Sequence, residues 1–352
     1  MRLKKALLDR LFGSYEIQRR IAGMFHRYNT APSPGNNAAI PLAPLPKAFA
    51  FSPCEPDDGP NRPPHRPCLF ITARFRTGST LLWSLFDSLD GLTAYYEPLN
   101  ERRWFDPASD TASRDQSHAH DRAIGRAYTG LDDIGRWFTQ DWTYRRLYMD
   151  AASGDENLHA FIAALVARAP RFPVLQFNRV DFRLAWLRAR FPAARILHLY
   201  RHPRDQWLSA LQQDAPRAMT LADFAAYDGF YLRAWARDLR NAYPFLDLPD
   251  DWHPYALFYL IWRLSYSHGR HYAAMSVAYE DLVADVPGTL GSIARRFDLP
   301  VDNAALEALG KAVRPSPRGG WQSYADDGFF REIEERCDAI LTAAFDDIPA
   351  TP

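Results

Sequence analysis

From Cys68 onward the chain repeats one layout: a short apolar run, a polar turn, then a segment with helical periodicity. "CLFITA" (68–73), "LTAYY" (92–96), "FPVLQFN" (172–178), "ARILHLY" (194–200) and "MSVAY" (275–279) read as strands. Helical patterns fill 78–89, 156–168, 182–190, 204–212, 220–241, 254–274, 288–297, 302–313 and 328–345. Strands alternating with helices build βαβ units. The expected fold is therefore α/β, a central parallel sheet flanked by helices in three layers.

The bulk numbers narrow the function classes. With 42 Lys and Arg against 42 Asp and Glu, the chain has no excess of positive charge to hold nucleic acid. Three cysteines (Cys54, Cys68, Cys337) at wide spacings make neither a disulfide framework nor a metal site, and they fit a reducing compartment. His118 and His120 have no ligand partner at helical spacing and read as loop residues. The longest apolar run, "YALFYLIW" (255–262), is far shorter than the ~20 residues of a membrane span. The N-terminus lacks the continuous apolar stretch of a secretory signal, so the expected location is the cytoplasm.

Three regions are expected. Residues 1–28 carry an apolar stripe among seven Lys or Arg and two acids, the pattern of a basic amphipathic helix. Such a helix either docks on an anionic membrane surface or packs on its own domain or a second subunit. Residues 29–67 are Pro-rich, a linker or arm, and 68–352 form the main domain. The polar stretch 106–132 reads as an insertion or lid.

Chemistry concentrates where strands end. In "ITARFRTGSTLLWSLF" (71–86) a strand runs into a loop and Gly78 opens a helix. A helix start presents free N–H groups and partial positive charge, which attract an anion. Gly78 permits close approach, Ser79 and Thr80 add hydroxyls, and Arg76 adds a fixed positive fork. Ser79, not Lys, follows Gly78, and Ala73 stands where a triphosphate-binding loop has its first glycine. The turn is open to two readings: an anion site, or an ordinary strand–helix turn capped by Thr77 or Ser79. Glu97 directly follows the second strand, Arg179 the third and Arg201 the fourth, with Pro203 starting a helix that carries Ser209. Taken singly, Glu97 reads as a surface carboxylate, Arg204 as a solvated cation and Ser209 as a helix filler. Their joint placement at strand ends argues for a site. Pairing of 92–96 beside 68–73 would set Glu97 next to the anion turn.

These residues resemble a family. "RTGSTLL" is similar to the 5′-phosphosulfate loop of sulfotransferases that use 3′-phosphoadenosine 5′-phosphosulfate, and "LHLYRHPRDQWLSA" to their 3′-phosphate motif. "VAYEDLVADVPGTLGSIARRFDLP" (277–300) resembles the strand–helix unit that follows, and "RPSPRGGWQ" (314–322) the late Arg-Gly segment. "YYEPLNE" resembles the "YEPL" segment of carbohydrate sulfotransferases, while Gln176 stands where that branch has Lys. The resemblance implies a P-loop-like fold and an enzyme that sulfates an acceptor hydroxyl, of a glycan or glycolipid. It implies donor contacts at Arg76, Thr77, Gly78, Ser79, Thr80, Arg201, Ser209, Tyr279 and Arg318. It further implies Glu97 as base, Arg76 as charge stabiliser, Arg179 and Glu97 on the acceptor side, and no metal. Residues 100–170 and 212–260 would shape the acceptor side. Within the same fold, a P-loop-type kinase and a non-catalytic nucleotide-binding protein are the rival readings.

Overall fold

The computed structural model describes residues 66–106, 124–211, 215–310 and 320–346. The helix expected at 1–28, nearly all of 29–67, His118, His120 and Arg318 lie outside these residues. The chain builds a five-stranded, wholly parallel sheet from β1 (Cys68–Ala73), β2 (Leu92–Tyr96), β3 (Phe172–Phe177), β4 (Ala194–Tyr200) and β5 (Met275–Ala278). Spatial order is β2-β3-β1-β4-β5. β1 is central and buried along its whole length, as its unbroken apolar run requires.

Helices cover both faces. They are α1 (Ser79–Asp87), α2 (Glu156–Arg168), α3 (Leu184–Arg190), α4 (Pro203–Ala210) and α5 (Leu232–Leu239), then α6 (Pro254–Tyr272), α7 (Tyr279–Ala284), α8 (Val286–Phe297), α9 (Asn303–Gly310) and α10 (Asp327–Asp346). Alternate residues of β1 face opposite layers. Leu69, Ile71 and Ala73 pack with α1 and α8, while Cys68 and Phe70 pack with α2 and α3. A third cluster joins Trp207 of α4, Trp235 of α5, the apolar run of α6 and Phe330, Cys337 and Leu341 of α10. That packing absorbs "YALFYLIW", and no helix among the described residues is long and apolar enough to cross a membrane.

Two expectations are corrected. β2 does not pair with β1, because β3 lies between them. Strand order depends on pairings between residues far apart in the chain, which local patterns do not encode. The single helix expected at 220–241 is a 3₁₀ turn (Asp223–Ala226) and α5, separated by residues 227–231. The Asp228 carboxylate accepts from the backbone N–H of Leu232 (2.8 Å) and Arg233 (2.9 Å), so it starts a new helix.

Candidate active site

All five strands deliver residues to one end of the sheet. β1 and β4 are neighbours whose outgoing helices cross to different strands, toward β2 and β5. In open parallel sheets the binding crevice lies outside such a switch point. Arg74 to Gly78 leave β1 there, and Arg201 leaves β4.

The β1–α1 turn keeps its helix start open. Gly78 is the N-cap with φ of 90°, and no side chain caps α1. The Thr77 hydroxyl donates instead to the Arg74 carbonyl (2.8 Å), closing the loop on itself. This removes the ordinary capped-turn reading for both Thr77 and Ser79. Tyr279, first residue of α7, lays its ring edge so near Gly78 that a Cβ there would fall 2.2 Å from the ring. The Arg201 guanidinium sits over the same ring at 4.8 Å.

The two sequence motifs meet through Arg76. Its Nε donates to the Ser209 carbonyl (2.8 Å) and Oγ (3.1 Å), and Arg201 Nη1 donates to the Arg76 carbonyl (3.3 Å). Burial first, then the Arg201 charge, push the Arg76 pKa below the usual arginine range. Arg201 Nε is buried without a hydrogen-bond partner. Two guanidiniums thus converge on one turn, an arrangement that an incoming anion would stabilise. Among the described residues, Gly320 and Trp321 bond through their N–H groups to Asp205 of α4 (3.0 and 3.2 Å).

A second group gathers at β2 and β3. Glu97 is buried, and its carboxylate accepts from Asn100, Asn178 and Arg179 Nη1, the last at 3.3 Å. Arg179 Nη2 also reaches Glu101 (2.5 Å), which accepts from the Tyr231 hydroxyl at 2.9 Å. Gln176 donates to Asn178, one step behind Glu97. Glu97 is therefore no surface carboxylate.

The two groups touch. The Thr80 hydroxyl lies 2.8 Å from that of Tyr96, the residue before Glu97. The Arg179 guanidinium lies over the Phe75 ring (4.9 Å), and Arg76 over Phe230 (5.7 Å). Arg76 (φ 69°), Glu97 (φ 39°) and Tyr231 (φ 61°) all adopt the left-handed region, sparsely populated by side chains of this size. Such strained residues cluster at functional sites.

Beneath the site, Arg74 pairs with Asp181 at 3.2 Å, both buried, and Ser265 and Thr72 also donate to Asp181. Burial pushes Arg74 down and Asp181 up, each toward its neutral form. Fully buried Arg183 donates to the carbonyls of Trp142, Arg145, Arg146 and Arg179, fixing the backbone that presents Arg179. Sequence reasoning missed Asn100, Asn178, Arg74, Asp181 and Arg183. Asn178 directly follows β3, so the strand-end rule that selected Arg179 would have found it. Arg204, read from sequence as a solvated cation, is buried between Glu334 (2.7 Å) and Asp327 (2.7 Å).

Fold and site together define a parallel α/β protein with two guanidiniums set at an open helix start and a buried carboxylate just past β2. The sulfotransferase family profile matches residues 67–303. The chain belongs to that family, whose enzymes use 3′-phosphoadenosine 5′-phosphosulfate. Among solved structures it is similar to the sulfotransferase domain of the Synechococcus PCC 7002 olefin synthase, at 21% identity over 83% of this chain and 92% of that one, with TM-score 0.37. The sulfotransferase STF9 from Mycobacterium avium is 15% identical, covering 84% and 80%, with TM-score 0.41. A retinol dehydratase solved with retinol and PAP is 14% identical, covering 82% and 84%, with TM-score 0.34. No curated protein matches the chain in sequence.

Proposed function

We propose that this sulfotransferase holds its donor at the β1–β4 crevice and passes the sulfuryl group to a hydroxyl of a glycan or glycolipid under Glu97. The carrying observation is the convergence of Arg76, Arg201, Ser209 and Tyr279 on an uncapped helix start. A donor with roughly four negative charges needs two separated cationic grips. The loop from Arg76 to Thr80 takes the 5′-phosphosulfate. Arg201 and Ser209 take the 3′-phosphate, with Arg318 a further cation for it. Arg76 stabilises charge on the bridging oxygen as its bond to sulfur breaks. Glu97 is the base that receives the acceptor proton, and Arg179 orients Glu97 and the acceptor. The "YYEPLNE" segment supports a sugar hydroxyl as acceptor.

Labelled donor tests this reading. Incubation with n-octyl β-D-glucoside should place label on the glucoside. Phosphate transfer from ATP would support the kinase reading. Donor binding without transfer to any hydroxyl tried would support a non-catalytic protein.

A further inference from the structure

β3 is an apolar strand with one polar interruption. Gln176 is fully buried, paired in the sheet with Ile71 of β1 on one side and Tyr96 of β2 on the other. A polar side chain in such a place costs stability unless hydrogen bonds offset it, yet Gln176 Oε1 is buried without a partner. Its Nε2 is the end that is used, donating to Asn178 Oδ1 just past the strand.

Chemistry fixes the directions of this chain. A carboxylate only accepts, so Asn178 must turn its NH₂ group to Glu97. Its carbonyl then faces Gln176, which must present an NH₂ group of its own. Gln176 therefore locks the Asn178 amide in the orientation that Glu97 requires. The two carboxylate oxygens are unevenly matched. Oε2 accepts from Asn100 Nδ2 and from Arg179 Nη1 (3.3 Å), while Oε1 accepts from Asn178 Nδ2. Each carboxylate oxygen offers about two lone-pair positions, so Oε2 is filled and Oε1 has room for one more hydrogen.

We propose that Gln176 and Asn178 are positioning residues for the base, holding the Glu97 carboxylate so that Oε1 is the atom that receives the acceptor's proton. The acceptor O–H gives its proton to Oε1, and the electron pair left on its oxygen forms the new O–S bond. The bond from sulfur to the donor's bridging oxygen breaks, and that oxygen keeps the pair. This inference rests on the sulfuryl-transfer reading with Glu97 as base. The other charges around Glu97 are Arg179 with Glu101 behind it, and Arg76 and Arg102 near Tyr96. Burial holds the Tyr96 and Tyr128 phenols above their usual pKa, so neither ionises between pH 5 and 8.

Asn178→Asp keeps the shape and the bond from Gln176, but it sets a second carboxylate against Glu97. Single-turnover transfer from labelled donor to n-octyl β-D-glucoside, or to water if the glucoside is not taken, is followed from pH 5 to 8. The acid limb of the variant should lie about one pH unit or more above that of the parent, with the rate below the limb about tenfold lower. Gln176→Met keeps the shape and frees the Asn178 amide without touching Glu97. It should slow transfer several-fold, at most about tenfold, and it decides the matter alone if Asn178→Asp does not fold. Affinity for 3′-phosphoadenosine 5′-phosphate should be unchanged in both. Equal slowing of Asn178→Asp at every pH overturns the proposal, since a merely structural residue would act that way. So does a loss of nucleotide affinity matching the loss of rate, which would place the pair in the donor cradle. If Glu97→Gln is slow while both variants keep the parent rate and profile, the base survives and the positioning pair falls. If Glu97→Gln transfers at the parent rate, the base reading itself has failed.

Discussion

Arg201 and Arg204 stand three residues apart on one turn, yet their surroundings differ. Arg204 meets Glu334 through two bonds and Asp327 through a third, and lies over the rings of Trp321 (4.7 Å) and Phe330 (5.2 Å). Those partners raise its pKa above the normal arginine value despite burial. Arg201 donates to one backbone carbonyl, lies over Tyr279, and leaves Nε without a partner. An arginine matched by carboxylates is already neutralised and ties α4 to α10. An arginine set beside a second guanidinium, as Arg201 is beside Arg76, is further stabilised by an incoming anion. Arg179 combines both cases, pairing with Glu97 and Glu101 while its ring contact to Phe75 reaches the β1–α1 turn.

The contrast can be broken at several points. Glu97→Gln keeps the shape of the Arg179 partner but removes the base. Transfer should fall by roughly 10²–10⁴ with nucleotide affinity unchanged, read by single-turnover assay beside titration. Parent-rate transfer would move the base elsewhere, with Glu101 the next carboxylate to test. Arg204→Ala strands Glu334, itself mostly buried, and should cost roughly 3 kcal/mol of stability in urea unfolding. Nucleotide affinity should change little, and a large loss would erase the distinction between the two arginines. Arg201→Ala should alter stability by less than about 1 kcal/mol, because it removes a like charge beside Arg76 along with its own contacts. A loss as large as that of Arg204→Ala would make Arg201 a structural residue.

A further effect concerns acid. Burial lowers His198, His202 and His268 to about 3 and His253 to about 4. In the unfolded chain these rings bind protons near pH 6.5, so between there and pH 3 the unfolded state holds more protons. Stability should therefore be full above pH 6.5 and fall as pH drops through that window. Each ring contributes at most about 1.4 kcal/mol per pH unit. His198→Gln should flatten the slope by that amount between pH 6 and 4, measured by urea midpoints. An unchanged slope would mean that His198 titrates normally.

Much of the fold was legible. β1, β2 and β4 have the expected bounds, because largely buried parallel strands are apolar-rich runs that polar turns delimit. That Arg76, Gly78, Arg201 and Ser209 gather at one turn was legible because strand-end position and motif spacing are local properties, while Tyr279 entered through the resemblance. Strand order was not, since β3 enters beside β1 through pairings about a hundred residues apart, such as Leu69 with Val174. The cage around Glu97 was equally hidden. Asn100 is three residues away, but Asn178 reaches the carboxylate only once β3 has been placed next to β2. Arg204 was misread because its partners, Glu334 and Asp327, come from α10, more than 120 residues further along.

The central claim is that the Arg76–Arg201 crevice is built for a nucleotide bearing a second phosphate. Calorimetry with 3′-phosphoadenosine 5′-phosphate and with 5′-AMP, on the parent and on Arg201→Ala, tests it most directly. The parent should bind the bisphosphate more tightly by roughly 1.5–3 kcal/mol per charged hydrogen bond to the 3′-phosphate. Arg201→Ala should bring the two nucleotides close together by weakening the bisphosphate alone. Equal affinity for both nucleotides on the parent, or an undiminished difference in the variant, would contradict the account.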